Sequence, residues 1–410
     1  MTKLSAVVVV DPISSACYYG AEIQKHGYLS IALISVKRLS EAVRRLQNLN
    51  EFESIVYADD LDEAMQALSR YSIRAVIPGS DVGIKFSDAL SSMYGLLGNP
   101  VESSQARLNK LELKEKLIAA GVSATWARGV RLEELKIDTF KKNDYPLVVK
   151  PAQGTGSRNV KVCRNHRELY AAVQAVEKDR EIQSDGEFYT LVEKYLAGDE
   201  YFVVTANCGL SGHKVMLCFA KYEKVEADGN PSIYKNIRSL SLNDSRALLA
   251  FSYASEVNSA LEFFWGINDI ELKIGSNGPL IIEQNGRLPG ANVPRLIEAC
   301  SGVNCYELNI DVYLGGFSRA FESVEFSRHF CICCLICNVS GVVKNISGLE
   351  EVEGLDSFYM LELSVVEGEI VGRTRDFLSS WGIVYLVHES QEVLARDSDF
   401  VHKTLALICD

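Results

Sequence analysis

The chain has 410 residues, 47% of them hydrophobic, with a formal net charge of −12 and a pI of about 5.2. This length predicts two or three domains around a substantial core. The acidity argues against nucleic acid or an anionic membrane as the main partner, and no apolar run is long enough to span a bilayer.

The first 80 residues alternate short apolar strands with helical patterns. The opening MTKLSAVVVVDP predicts a strand at residues 6–10 rather than a signal peptide. A helix is predicted at 15–26, ended by Gly27, and further strands at 30–36, 54–57 and 75–78. This order is typical of a parallel α/β unit. No Gly-x-Gly-x-x-Gly follows the first strand, which disfavours a dinucleotide site.

Three polar residues follow the first strand. Ligands favour the carboxyl ends of strands in such sheets, so Asp11, Ser14 and Ser15 are candidates for substrate contact. The alternative is that Ser14 or Ser15 caps the following helix, and we expect this structural role.

A glycine-containing loop with a lysine before it lies in the middle of the chain. Residues 109–120 predict a helix closed by Gly121, and strands are predicted at 145–151 and 159–163. Lys150 ends the first of these strands, and the loop contains Gly154, Thr155, Gly156 and Ser157. Backbone N–H groups of such a loop can approach phosphate oxygens closely. The loop joins two strands, so it is neither a Rossmann turn nor a P-loop, and a plain hairpin turn explains it equally well.

Residues 190–201, TLVEKYLAGDEY, predict a strand that is broken by Gly198. Alternating polar and apolar residues are typical of a half-buried strand. The same segment is also compatible with a hinge that binds an adenine through its backbone, with Leu196 against the base and Glu200 on the ribose.

The most informative stretch is ELKIGSNGPLIIEQNGR at 271–287. Two apolar strands flank a Ser-Asn-Gly-Pro turn, so Glu283 and Asn285 point to one face and Glu271 lies across the hairpin from them. Two carboxylates and an amide oxygen then converge, with Arg287 at the end of the strand. Hard oxygen ligands of this kind suit Mg²⁺ and the phosphates of a nucleotide. A solvated hairpin face would explain Glu271 alone, but strand interiors are depleted in Glu and Asn.

Eleven cysteines are present, with a cluster at Cys331, Cys333, Cys334 and Cys337 close to His329. A zinc site is conceivable there. The run FCICCLICNV is apolar, however, and no second Cys pair stands at zinc-finger spacing. We therefore expect buried structural thiols in a reducing cytoplasm.

Taken in chain order, these segments resemble the ATP-grasp superfamily. The resemblance rests on Lys110, Lys150 before its glycine loop, the 193–196 segment, Glu271 and Glu283-x-Asn285-x-Arg287. It implies an α/β ATP-grasp fold. A parallel α/β domain is expected at 1–122, a mobile α+β lid at 123–192, and a mixed-sheet domain at 193–410. The last would end in a small β-rich segment from about residue 330, with strands near 341–346, 366–371 and 381–387.

The resemblance also implies ligands. Lys110 and Lys150 would contact ATP phosphates, and residues 154–157 would close over them. The adenosine would be bound by Glu193, Lys194, Tyr195, Leu196 and Glu200. Glu271, Glu283 and Asn285 would hold two Mg²⁺ ions, with Mn²⁺ as an alternative, and Arg287 would stabilise the transferred phosphoryl group. Such enzymes phosphorylate a carboxylate and let an amine displace phosphate, so small-molecule acids and amines are the expected partners, and a homodimer is left open.

Within the superfamily, the segment at 287–292 is similar to that of amino-acid ligases, and Arg287, Gly290 and Ala291 would contact the substrate. One departure is that many such ligases carry a His two residues before the first metal Glu, where this chain has Asp269. Biotin-carboxylase relatives share the 193–196 segment, but they carry Val-Glu-His-Pro after the Arg. The alternatives are therefore a ligase of another carboxylate, a carboxylase-like enzyme, and a nucleotide-binding relative without catalysis.

Overall fold

A computed structural model describes residues 3–35, 37, 39, 44, 47–154, 159–178, 190–209, 212–227, 230–316 and 323–410. Three sheets surround one large cavity, and a fourth small sheet lies at the C-terminal end. The α/β class predicted from the sequence is confirmed, but the strand pairs described after residue 193 are antiparallel, so the mixed sheet predicted there is wrong. The domain boundaries at 122, 192 and about 330 stay a prediction.

The N-terminal sheet is parallel, with strand order β3-β2-β1-β4. Its central strand β1 is apolar and buried on both faces, as a parallel strand covered by helices must be. The elements are β1 (Ser5–Val10), α1 (Tyr19–Lys25), β2 (Leu29–Ile34), β3 (Ser54–Tyr57), α2 (Leu61–Leu68), β4 (Ser72–Pro78), α3 (Ile84–Tyr94) and α4 (Val101–Ser104).

The predicted helix at 15–26 is two elements, a 3₁₀ turn at Ser14–Tyr18 followed by α1. The expectation that Ser14 or Ser15 caps a helix is wrong, because no side-chain hydrogen bond caps either element and the Ser15 hydroxyl has no partner. Ser14 instead has a left-handed backbone, with φ 53°, and its side chain lines the central cavity.

A four-stranded antiparallel sheet of order β5-β8-β6-β7 follows. Asn109 begins the helix before it, since its side chain accepts hydrogen bonds from two backbone N–H groups of the first turn. The elements are α5 (Lys110–Ala119), β5 (Ala127–Val130), β6 (Leu147–Pro151), β7 (Lys161–Cys163), α6 (His166–Lys178) and β8 (Thr190–Lys194).

The largest sheet has eight antiparallel strands in the order β13-β12-β9-β10-β11-β14-β18-β16. Its strands from the C-terminal end of the chain therefore continue the same sheet that carries the Glu271–Asn285 hairpin. The elements are β9 (Asp199–Cys208), β10 (His213–Ala227), β11 (Asn230–Ser239), α7 (Ser245–Ala260), β12 (Trp265–Gly275), β13 (Gly278–Asn285), α8 (Val293–Ser301), α9 (Cys305–Leu314), β14 (His329–Leu335), β16 (Phe358–Leu363) and β18 (Gly382–His388).

A small sheet of order β17-β15-β19 packs at the C-terminal end of the chain. Its elements, with the helices beside it, are β15 (Gly341–Ser347), α10 (Leu349–Glu353), β17 (Ile370–Val371), α11 (Gln391–Thr404) and β19 (Ala406–Cys409). The predicted strand at 366–371 is shorter in the structure, where it comprises two residues.

Most of the cysteine run lies in a core strand, β14, as the sequence indicated, and Cys337 is buried just after the strand ends at Leu335. Alternate side chains enter two different cores, since Cys334 packs in the main core and Cys331 and Cys333 pack in the C-terminal one. All eleven cysteines are free. Within the part of the chain that the structure describes, no group of three or more His, Cys, Asp or Glu side chains could hold a metal ion.

Candidate active site

A cavity of about 1700 Å³ lies between the three larger sheets. Its wall is mixed, with apolar side chains interrupted by charged groups, which is the usual character of a small-molecule site. Most of the site residues expected from the sequence line it, namely Lys110, Lys150, Gly154, Glu193, Tyr195, Leu196, Glu200, Glu271, Glu283, Asn285, Arg287, Gly290 and Ala291. Lys194 is exposed outside the cavity, and Thr155, Gly156 and Ser157 lie outside the described residues.

The β12–β13 hairpin brings two carboxylates together. Glu271 and Glu283 are direct partners in the antiparallel register, and Tyr222 donates a hydrogen bond to Glu271 Oε1 at 3.0 Å. Burial and the charge of Glu283 raise the pKa of Glu271 well above its usual range. This repulsion would be relieved by a cation between the two carboxylates, so the donor set of Glu271, Glu283 and Asn285 fits Mg²⁺.

Lys110 sits at the start of α5 and reaches the hairpin. Its Nζ lies 2.5 Å from Glu283 Oε2 and donates to the carbonyl of Gly154 at 2.8 Å. Burial alone would lower the pKa of Lys110, but Glu283 and neighbouring acids outweigh it and raise the pKa. The same pairing lowers the pKa of Glu283 against the effect of its burial. Lys110 therefore stays cationic between the glycine loop and the carboxylate hairpin.

Glu193 accepts from two buried lysines. Lys150 Nζ lies 2.7 Å from Glu193 Oε1, and Lys114 binds Glu193 Oε2 and donates to Thr125 Oγ1 at 2.6 Å. Burial would raise the pKa of Glu193, but the two lysines lower it to about 2. The Glu193 side chain is thus engaged with Lys114 and Lys150.

The segment after β8 turns sharply. Gly198 has φ 116°, and a Cβ there would lie 2.5 Å from the carbonyl oxygen of Ile274, so only glycine fits the turn. Lys273 Nζ lies 5.4 Å from the centre of the Tyr195 ring and donates to the carbonyl of Leu196 at 3.2 Å. Glu200 on β9 is ion-paired with Lys224 on β10.

Arg287 is held between two carboxylates. Its Nη1 donates to Asp269 Oδ1 at 2.9 Å and its Nη2 donates to Asp81 Oδ2 at 3.0 Å. Asp269 also accepts from Asn285 Nδ2 at 2.9 Å. Burial raises the pKa of Asp269 to about 6, although Arg287 opposes the shift. Asp269, the residue that departs from the amino-acid-ligase pattern, is thus a carboxylate bound to Arg287.

Several side chains of this site were not predicted from the sequence. They are Asp81, Lys114, Tyr222, Lys224, Asp269 and Lys273. Two of them carried a usable signal, since Asp81 follows a parallel strand and Asp269 lies two residues before Glu271 on the same strand face. The others pair with groups far away in the chain, so local patterns could not indicate them.

Comparison with known proteins agrees with this geometry. Residues 143–294 match the model of an ATP-grasp domain. The chain carries an ATP-grasp domain. It is 24% identical over 98% of its length to dapdiamide A synthase from Enterobacter agglomerans, of which 98% is covered. It is 22% identical over 80% of its length to an L-arginine-specific L-amino acid ligase from Bacillus subtilis, of which 80% is covered.

The fold of the whole chain has a solved counterpart. An L-amino acid ligase from Bacillus licheniformis superposes with a TM-score of 0.83 over all of both chains, at 20% identity. These comparisons confirm the predicted ATP-grasp domain and the fold. None of the described helices has the length and apolar character needed to cross a membrane.

Proposed function

We propose that the protein is an ATP-dependent carboxylate–amine ligase that joins amino acids or amino-acid-like substrates. ATP phosphorylates the carboxylate of one substrate, and the amine of the other displaces phosphate from the acyl phosphate, so ADP and phosphate are released. The observation that carries the proposal is the meeting of the paired-carboxylate hairpin, Lys110, Lys150 and Arg287 in one cavity. The names of the ligase relatives point to the same substrate class.

The lysine side chains of the site would neutralise the negative charges that the reaction brings together. An anionic terminal phosphate must approach an anionic carboxylate, which requires neutralisation. Lys110 and Lys150 would contact the phosphates, each held by a carboxylate that fixes its ammonium group in advance. The Gly154 backbone lies beside Lys110, and we assign the 154–157 loop to the same phosphates.

Glu271, Glu283 and Asn285 would hold the metal, which we expect to be two Mg²⁺ ions, with Mn²⁺ as a substitute. When bound, the metal would supply charge neutralisation at the phosphates. The backbone of residues 193–196 would receive the adenine, and Glu200 the ribose. In this assignment Glu193 contributes through Lys150 rather than through its own contact with the base.

Arg287 would bind the substrate carboxylate and then the oxyanion of the tetrahedral intermediate. Asp81 and Asp269 orient its guanidinium before any substrate arrives, and such preorganisation is a major source of transition-state stabilisation. Gly290 and Ala291 follow Arg287 along the cavity wall and would contact the remainder of the substrate.

The test is a screen of purified protein with ATP, Mg²⁺ and pairs of amino acids or small carboxylates, reading phosphate release and product mass. Turnover should appear as ADP and phosphate in equal amounts by ³¹P NMR. Stoichiometric AMP and pyrophosphate would contradict the acyl phosphate, and ATP binding without turnover on any pair would favour a non-catalytic role. Free cysteines and a reaction with ATP fit a reducing cytoplasm, which we propose as the location.

A further inference from the structure

The cavity extends beyond Arg287 to a second wall built by β16 and β18. Asn292 lies five residues after Arg287, so their Cα atoms are at most about 18 Å apart. Glu362 on β16 is in register with Ile383 on β18, and both line the cavity. This wall comes from the C-terminal end of the chain, and neither the sequence motifs nor the proposed chemistry gives it a role.

The Glu362 carboxylate is fixed by two neutral donors. Its Oε1 accepts from Asn292 Nδ2 at 2.8 Å, and its Oε2 accepts from Tyr385 OH at 2.7 Å. A carboxylate has about four acceptor sites, so two stay available for a ligand. Across the residues that the structure describes, Glu362 forms no ion pair. Glu362 therefore lines the cavity without an ion-pair partner in the described part of the chain.

A second polar group in this wall has no hydrogen-bond partner among the residues that the structure describes. Ser380 precedes Ile383 by three residues and lines the same cavity, and its hydroxyl, in a residue only 6% exposed, has no hydrogen-bond partner. Buried hydroxyls are usually satisfied, so an orphaned one beside a cavity points to a ligand.

Glu362 also borders a smaller neighbouring cavity of about 190 Å³. Glu51 contributes a second carboxylate to it, and its described lining contains no Lys, Arg or His side chain. The Arg295 guanidinium lies behind this lining, 5.0 Å from the centre of the Tyr18 ring. The two charged side chains that line the cavity itself are carboxylates, which favours a cation over a neutral or anionic group at this end of the site.

We propose that Glu362 is the counter-ion for a positively charged side chain of one substrate. The ligase would therefore select an amino acid with an ammonium or guanidinium side chain. The inference rests on the proposed ligase function, which makes the occupant of this cavity an amino acid. The reacting end of that amino acid lies near Arg287, and its side chain extends to the β16–β18 wall. A charge-assisted pair in a half-buried site discriminates strongly against a neutral isostere.

The test measures binding directly, by titration calorimetry of the full-length protein with L-arginine and with L-citrulline. The two differ in charge and hardly in shape, and L-lysine with L-norleucine provides a second pair. The wild type should bind L-arginine about tenfold or more tightly than L-citrulline. Glu362→Gln should abolish that preference and leave L-citrulline binding within about twofold. Glu367→Gln removes an exposed carboxylate just after β16 and is the matched control, which should keep the preference.

Equal affinity of the wild type for both ligands, or no measurable binding of either, would overturn the proposal. An equal loss of both ligands in Glu362→Gln would also overturn it, because it would place the shared α-ammonium group at Glu362. Charge-selective binding that depends on Glu362 supports the proposal even if no substrate pair gives turnover. That combination would count against the ligase function alone.

Discussion

At the scale of single residues, the site is organised by pairs of opposite charge. Glu283 is the clearest case, since it combines a place in the carboxylate hairpin with an ion pair to Lys110. Several charged groups have a partner that fixes their position, as Lys150 has in Glu193 and Arg287 has in Asp81 and Asp269. Substitutions at groups assigned to the phosphates, the metal and the substrate should therefore alter turnover more than folding.

Replacing Glu283 with Ala should lower kcat by about 100-fold or more while the protein stays folded, because the change removes an oxygen ligand where charge develops in the reaction. Steady-state phosphate release and thermal unfolding are the two measurements. Asn277→Ala in the exposed turn of the same hairpin is the control and should behave as wild type. Near-normal turnover of the Glu283 variant would refute the assignment of the metal site.

At the scale of elements, helix α5 links two sheets through its charged face. Lys110 at its start reaches the β12–β13 hairpin, and Lys114 one turn later reaches Glu193 at the end of β8. The spacing of four residues places both lysines on one side of the helix. The helix thus fixes the position of Glu193 and β8 relative to the carboxylates of the β12–β13 hairpin.

Replacing Lys114 with Met should cost about 2 kcal/mol or more of unfolding free energy. The change leaves the buried Glu193 with only Lys150 and leaves the Thr125 hydroxyl without its partner. Lys116→Met in the same helix is the matched control. Its pair with Glu262 is partly exposed, with 32% and 43% of the two side chains accessible, so the expected cost is only about 0–1 kcal/mol. Urea unfolding measures the loss of unfolding free energy in both variants. Equal losses would contradict the expectation that the buried pair stabilises the fold more than the partly exposed one.

At the scale of the whole molecule, stability should depend on pH through a partly buried histidine, His402. His402 on α11 contacts Asn236 Oδ1 on β11 at 2.8 Å and joins the C-terminal helix to the large sheet. Burial, with help from Lys235, lowers the pKa of His402 to about 4. The neutral form is therefore the one that the folded state favours.

The unfolded chain takes up a proton at His402 below about pH 6.5, whereas the folded chain does so only near pH 4. This contribution to stability is fully present above pH 6.5 and is lost as the pH falls toward 4. Its upper limit is about 3 kcal/mol, since one pKa unit corresponds to about 1.4 kcal/mol. His402→Gln should flatten the pH dependence of the unfolding free energy between pH 7 and 4. Parallel curves for variant and wild type would contradict this role.

The sequence by itself determined the order of the elements and much of the local geometry of the hairpin. Strand alternation places Glu283 and Asn285 on one face, and the turn fixes the register as far as Leu272 opposite Ile281. A β-bulge between Glu271 and Leu272, which the sequence did not indicate, then brings Glu271 opposite Glu283. The local sequence also determined the helix begun by Asn109, whose side chain caps the first turn. The side-chain periods of two residues in a strand and 3.6 residues in a helix are local properties of the backbone, so a sequence indicates them without tertiary information.

Only the tertiary structure decided which charges face each other. Lys114 and Glu193 are 79 residues apart, and Arg287 and Asp81 are 206 apart, so no spacing rule connects them. The wrong expectation that Ser14 or Ser15 caps a helix has the same origin, because the start of that segment is set by the sheet and the cavity around it. Ion pairs and cavity walls form where segments distant in the chain come into contact, and the packing of the whole molecule determines which segments do so.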